Sequence, residues 1–328
     1  MDILYTSDNY FVPQIAASMC SICENNKEAE KIHFHIFCDR YTEENITNLK
    51  KFVESYSRTL SLYDVSDLRR FFKHDFDHGG WKPVALARLL TDKILPESVD
   101  RVIYLDGDTI IRGSLAEFWE TDFCGCSVAG VIEPTVNKKN LIPIDLLDSP
   151  YINSGVLLLN VKKWREQGVG DRLLDYFREK HDMLFAPDQD AINGALKGDI
   201  LFVSPKYNFC NSFYTYNYKT LCKMMEPIHY IDEAVFVDAC ANPVIVHYLG
   251  EERPWRKGNK HKYRTEFEKY LNMTPWKDSI VNEDWRLYFC LFYLFNFFMK
   301  PFPMIRYRII TKLIPAFIKY RATMLKKH

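Results

Sequence analysis

Residues 101–120, RVIYLDGDTIIRGSLAEFWE, decide how the chain is to be read. They open on a short apolar run, Val102-Ile103-Tyr104-Leu105, of the kind that makes a fully buried strand. The run stops on two carboxylates, Asp106 and Asp108, held apart by the small, permissive Gly107. Packing a core asks for no acids at the end of a buried strand. Two carboxylates at this spacing do suit a hard divalent cation that also grips phosphate oxygens. A plain Asp-Gly-Asp surface turn is the competing reading, because such pairs are common turn signals. Beyond the acids, Arg112-Gly113-Ser114 reads as a turn and N-cap, and Leu115 to Trp119 as a short helix.

Upstream, the pattern alternates. Asp2 to Ser7, Lys31 to Cys38 and Thr59 to Asp64 read as strands, with helices over Pro13 to Cys23 and Thr42 to Ser57 between them. Strand, helix, strand, helix, strand is the signature of βαβ units and a parallel sheet. Ligands of such sheets bind beyond the carboxyl ends of the strands, where both Ser7-Asp8-Asn9 and Asp106-Gly107-Asp108 fall. Asp67 to Trp81 is irregular and aromatic, with His74 and His78, and reads as a flap or a long connection. Pro83 to Leu95 reads as one helix, whose Arg88 sits in an otherwise apolar segment and either snorkels to solvent or faces an anion.

Downstream, Asp122 to Ile132 is a further apolar strand region, followed by YINSGVLLLNVKKWR at 151–165. Gly155 interrupts this second strand and implies close approach by a backbone or a ligand. Asp171 to His181 is helical, and Pro187-Asp188-Gln189-Asp190 opens another helix. First-turn acids there explain themselves through the helix dipole, though one would suffice. Asp199 to Val203 is a short strand, Ser204 to Leu221 an aromatic, Asn-rich loop, and Asn242 to Tyr248 a last strand carrying His247. A lone strand-end His is usually structural, but one joining two carboxylates suits Mn²⁺.

At 328 residues and 47% hydrophobic, the chain can bury a large core. Its net charge of zero hides an asymmetry. From Trp285 to His328 there are nine Lys or Arg and no acid, which leaves a net of −9 on the rest. The chain opens directly on a strand, with no basic and apolar leader, and its nine cysteines fit no stapled framework, so reduced thiols in a cytosolic setting are expected. Cys20-x-x-Cys23 lies in an apparent helix and Cys124-x-Cys126 lacks the spacing of a structural zinc knuckle, so a zinc site built from the two pairs is not expected. An acidic body and a tail laced with large aliphatics argue against nucleic-acid binding.

With these pieces in order, the chain resembles the family 8 glycosyltransferases, the group that includes bacterial lipopolysaccharide galactosyl- and glucosyltransferases and glycogenin. The resemblance runs from Met1 to about Trp255 and rests on ordered motifs: the acid-Asn-Tyr end of the first strand, YLDGDTI, YINSGVLLLN, PDQDAIN and HYLGEERPW. It implies an α/β, Rossmann-like GT-A fold, with a mixed, mostly parallel sheet flanked by helices and a C-terminal helical tail. Residues 1–260 would form the catalytic domain and 261–328 the tail. It further implies a retaining hexosyltransferase, with UDP-galactose or UDP-glucose as donor and Mn²⁺, or else Mg²⁺, as cofactor. Thr6, Asp8, Asn9 and Tyr10 would hold the uridine, and Asp106, Asp108 and His247, around Gly107, the metal. Arg88 would reach the donor's sugar or pyrophosphate. Asn153, Ser154 and Asp188 would contact the transferred sugar, and Gly250 and Arg253 would close over the phosphates. Relatives often carry Lys where this chain has Arg253, which can still donate to phosphate. Gln189 would sit beneath the anomeric carbon. Asp190 is an alternative nucleophile, so double displacement and same-face attack both stay open.

The competing functions are a nucleotidyltransferase of sugar nucleotides and a catalytically silent membrane scaffold. The first would show a Gly-rich phosphate loop, and Asp2 to Pro13 contains no glycine. In the tail, Leu287 to Met299 is intensely apolar but only 13 residues long, short of the about 20 a membrane span needs. Met304 to His328 then reads as a basic amphipathic helix. Together they suit an interfacial segment drawn to anionic lipid on the cytoplasmic face, with a glycan or lipid-linked envelope acceptor. Packing on the enzyme's own surface, or a dimer contact, is the alternative.

Overall fold

The computed structural model describes residues 1–68, 83–279 and 284–325. His74 and His78 lie outside the described residues. Seven strands form the main sheet: β1 (Asp2–Asp8), β2 (His33–Asp39), β3 (Thr59–Asp64), β4 (Val102–Leu105), β6 (Val128–Ile132), β7 (Ile152–Leu159) and β8 (Ile200–Phe202). Their order is β3-β2-β1-β4-β7-β6-β8. All pairs are parallel except those made by β7, which runs antiparallel to both β4 and β6. The mixed, mostly parallel sheet that the family resemblance implied is therefore present, with the β1–β2–β3 part that the βαβ pattern predicts parallel throughout.

Both faces of the sheet are covered, which explains why its central strands read as continuous apolar runs rather than alternating ones. Ile103 and Leu105 of β4 join the core that includes helix Val12–Asn25. Val102 and Tyr104 point into the opposite core with Leu4, Leu157 and Trp164. Phe267, Tyr270 and Leu271 of helix Arg264–Leu271 belong to the first of these cores.

The strand-end segment departs from expectation in one useful way. Thr109–Ile111 does not merely turn but forms β5, which pairs antiparallel with β9 (Ile245–His247) in a separate two-stranded ribbon. The register sets Thr109 opposite His247, and the Tyr248 amide donates to the Asp108 carbonyl at 2.9 Å. Two regions expected to be simple are subdivided. Pro83 to Leu95 splits into α-helix, a 3₁₀ turn over Ala87–Leu90 and α-helix again. Ser204 to Leu221 contains three short helical turns rather than an open loop. Within 261–328, helix Arg264–Leu271 packs into the main core, and two further helices follow among the described residues, Arg286–Met299 and Pro303–Leu325. Among the described residues no helix is long and apolar enough to cross a membrane.

Candidate active site

At the carboxyl end of β4 the chain leaves the core with Asp106, Gly107 and Asp108, and the β5–β9 ribbon returns His247 to face them. The ligand atoms of these three side chains lie within 4.8 Å of one another. His247 Nε2 is 3.4 Å from Asp108 Oδ1 and 3.9 Å from Asp106 Oδ2. The other ring nitrogen, Nδ1, is 3.0 Å from the side-chain oxygen of buried Asn208. Donation from Nδ1–H to that oxygen leaves Nε2 as a lone-pair donor aimed at the carboxylates, the arrangement that orients a metal-binding imidazole. Asn208 in turn donates to Asn153 Oδ1 at 2.9 Å. Neither Asn208 nor its role stood out in the sequence, where the only signal was the asparagine content of its segment.

The glycine of the second strand is explained by the same cluster. A Cβ on Gly155 would stand 2.3 Å from His247 Cε1 and 2.8 Å from Asp106 Oδ2. Gly107 is likewise packed close, under Phe11 and Ile15. Two carboxylates and one imidazole, pressed against a backbone with no side chain, form a donor set that fits Mn²⁺ or Mg²⁺.

Electrostatics bind the cluster to its surroundings. Burial would push the Asp108 carboxyl up, but His247 and Arg253 overrule it and hold it down at about 2. Burial would likewise lower His247, yet the two facing carboxylates raise it. Arg253 Nη2 is 3.2 Å from Asp108 Oδ2, and its guanidinium lies 5.7 Å from the ring centres of Phe11 and Trp255. Gly250 precedes it at φ 77°, a left-handed turn that suits glycine.

Arg88 does not snorkel. It is buried over the ring of Tyr104, donates to Asp106 Oδ1 at 3.0 Å and to the Ser154 carbonyl at 3.2 Å, and pairs with Asp188 at 3.2 Å. Arg88 thereby ties the acidic pair to the helix Pro187–Ala195. The Tyr104 hydroxyl donates to the same Asp106 oxygen and is 3.0 Å from Thr6 Oγ1.

At the start of the Pro187–Ala195 helix, Ser154 donates through its amide to Gln189 Oε1 at 2.9 Å and through its hydroxyl to Asp188 at 3.1 Å. Asp190 lies deeper, 2% exposed. One of its oxygens accepts from Tyr151 and the other from the amides of Phe185 and Ala186. It therefore caps the incoming chain, and burial raises its pKa despite these bonds. Gln189, Asn153, Tyr151 and buried Glu133 line a cavity of about 260 Å³, whose far wall includes Thr311 and Ile314 of the tail.

The first-strand residues sit farther round. Asp8 accepts from the Tyr10 amide. Asn9 accepts from the Thr42 amide and the Asn45 side chain, so it fastens the strand end to helix Glu43–Ser55. Tyr10 is 87% exposed. The nine cysteines are free thiols, and neither cysteine pair of the sequence forms a metal cluster among the described residues.

The profile of Glycosyl transferase family 8 matches residues 2–258. The chain belongs to this family. General stress protein A of Bacillus subtilis is 24% identical over 280 residues, covering 84% of this chain and 94% of that protein. A lipopolysaccharide 1,2-glucosyltransferase of Escherichia coli is 26% identical, over 85% of this chain and 80% of its own. Among solved structures, the galactosyltransferase LgtC with donor and acceptor sugar analogs superimposes with a TM-score of 0.67 at 21% identity, covering 87% of this chain and 99% of that one. The transferase thus has the GT-A type of fold, and the cluster of Asp106, Asp108 and His247 lies in the part of the chain that the family defines.

Proposed function

We propose that this family 8 glycosyltransferase is a retaining hexosyltransferase that moves galactose or glucose from a UDP-sugar, with Mn²⁺ assistance, onto a glycan or glycolipid of the cell envelope. Residues 1–260 act as the catalytic unit, and the tail holds it against the cytoplasmic membrane face. The observation that carries the reading is the convergence of Asp106, Asp108 and His247 beside two arginines, at the carboxyl end of the central strand.

Asp106, Asp108 and His247 would hold a divalent ion, which would supply Lewis-acid neutralisation of the diphosphate leaving group. Arg253 adds a donor that can turn from Asp108 to a phosphate oxygen, and Gly250 lets its loop close. Thr6, Asp8, Asn9 and exposed Tyr10 receive the uridine, Tyr10 by covering the base. Arg88, Ser154 and Asp188 form one hydrogen-bonded row for the sugar hydroxyls, continued by Asn153. Gln189 faces the anomeric centre. Both oxygens of Asp190 are engaged, which favours same-face attack over a covalent intermediate on that residue. The acceptor enters through the cavity of about 260 Å³ beside Gln189.

A screen of UDP-sugars for thermal stabilisation and slow donor hydrolysis, in Mn²⁺ and in EDTA, tests the proposal. One UDP-hexose should stabilise the full chain and turn over only with the metal, and D108N should lose both effects. Indifference to every UDP-sugar would reject the transferase mechanism and favour a silent scaffold.

A further inference from the structure

The tail carries a feature that neither membrane attachment nor donor chemistry requires. Helix Pro303–Leu325 crosses the loop after β6, and its Tyr307 hydroxyl donates to the Val136 carbonyl at 3.0 Å. Between helix and loop runs a cleft of about 620 Å³. Lys138, Lys139, Lys223, Arg308 and Lys312 all line it, and no Asp or Glu does among the described residues. Lys138 reaches the Glu226 backbone carbonyl, not a carboxylate. Five cations converging on one concave surface repel one another and raise the local concentration of anions. Met224, Met304 and Ile309 line the cleft beside the charges, a combination suited to a ligand with a sugar or hydrocarbon body and an acidic group.

The cleft adjoins the catalytic cavity. Asn137 and Thr311 line both, and Gln189 lines the second. Among the described residues of the two tail helices, the most exposed apolar side chains, Leu287, Phe297 and Phe298, belong instead to the preceding helix. The largest share of exposed apolar surface is thus on the first of these helices, whereas Arg308 and Lys312 of the cleft are on the second, which also exposes Ile305 and Leu313.

We propose that this cleft binds a phosphate or carboxylate carried by the acceptor, so that the tail helix is a wall of the acceptor site and selects an acidic glycan. The inference rests on the glycosyl-transfer reading for the word acceptor, but its anion binding can be measured alone.

Glucose 6-phosphate and glucose serve as probes, titrated calorimetrically into the full chain in EDTA. Without a divalent ion the Asp106–Asp108 site disfavours anions, so binding reports the cleft. Wild type should bind glucose 6-phosphate at least tenfold more tightly than glucose. K139E/K312E, and separately K223Q/R308Q, should remove that preference with an unchanged melting temperature. Equal binding of the two sugars, or a preference surviving in both variants, overturns the proposal. So does a variant that loses only its binding to phosphatidylglycerol vesicles, which would assign the charges to the membrane. Donor hydrolysis with Mn²⁺ is followed in parallel. Its absence in wild type rejects the transferase reading, while the calorimetry separately decides whether the cleft binds anions.

Discussion

Gly155 shows how much a single residue can carry. Its missing side chain is the space in which Asp106 and His247 meet, so G155A must push the imidazole or shift the strand. The expected cost is about 1–3 kcal/mol of stability, together with a weakened response to Mn²⁺. Thermal melts with and without the metal separate the two effects. A variant that melts like wild type and keeps its metal response would disprove the close approach. Asn208 acts one step further out, through the Nδ1 of His247. N208A should raise the Mn²⁺ concentration needed for half-maximal donor hydrolysis by about 10–100-fold, with the rate recovered at saturating metal. A lost rate that metal does not restore would move Asn208 from positioning His247 to holding the fold. Gln189 differs in kind. Q189A should lower kcat by about tenfold or more, the size of a lost transition-state contact, with donor KM little changed. Steady-state kinetics over a donor series reads both.

Among the elements, the β5–β9 ribbon and the segment that follows it bring the histidine to the acids and anchor it. Past the ribbon, His261 is buried against Tyr248 and is 3.1 Å from Asn211. Burial lowers its pKa to about 4 from the ordinary 6.5. Below about pH 6.5 the unfolded chain takes up a proton that the folded chain refuses. The stability from the neutral ring is therefore full above pH 6.5 and lost as pH falls toward 4, by about 3 kcal/mol at most. Denaturant unfolding between pH 4 and 7 should show this slope, and H261F should flatten it. A slope unchanged in H261F assigns the acid sensitivity elsewhere. The helix at 187–195 teaches the converse lesson. Its first-turn acids read as dipole partners, but Asp188 reaches sideways to Arg88 and Ser154 while Asp190 caps backward. Secondary-structure position alone could not separate those two aspartates.

For the molecule as a whole, the charge asymmetry becomes geometry. The acidic body sets Asp106 and Asp108 at the end of its central strand, and the basic tail folds back until Thr311 and Ile314 reach the catalytic cavity. The exposed aromatic face of helix Arg286–Met299 remains turned outward. F297E/F298E should release the full chain from vesicles containing phosphatidylglycerol while leaving donor hydrolysis and melting temperature intact. Unaltered sedimentation with vesicles would leave that face to a contact between copies of the chain, which light scattering would then reveal.

The α/β alternation, the buried strand ending in Asp106 and Asp108, the need for glycine at 155 and the candidate His247 were all legible in the sequence. They depend on local periodicity and on residue types that a core does not otherwise tolerate. The fate of Arg88, the division of labour between Asp188 and Asp190, the support from Asn208 and the tail's place beside the acceptor cavity were not. Each depends on which distant segments meet: residue 88 with 106 and 188, residue 208 with 247, residue 307 with 136. Such contacts follow from the packing of the finished sheet and ribbon, where burial obliges each polar group to find a partner, as far as 171 residues away for Tyr307 and Val136.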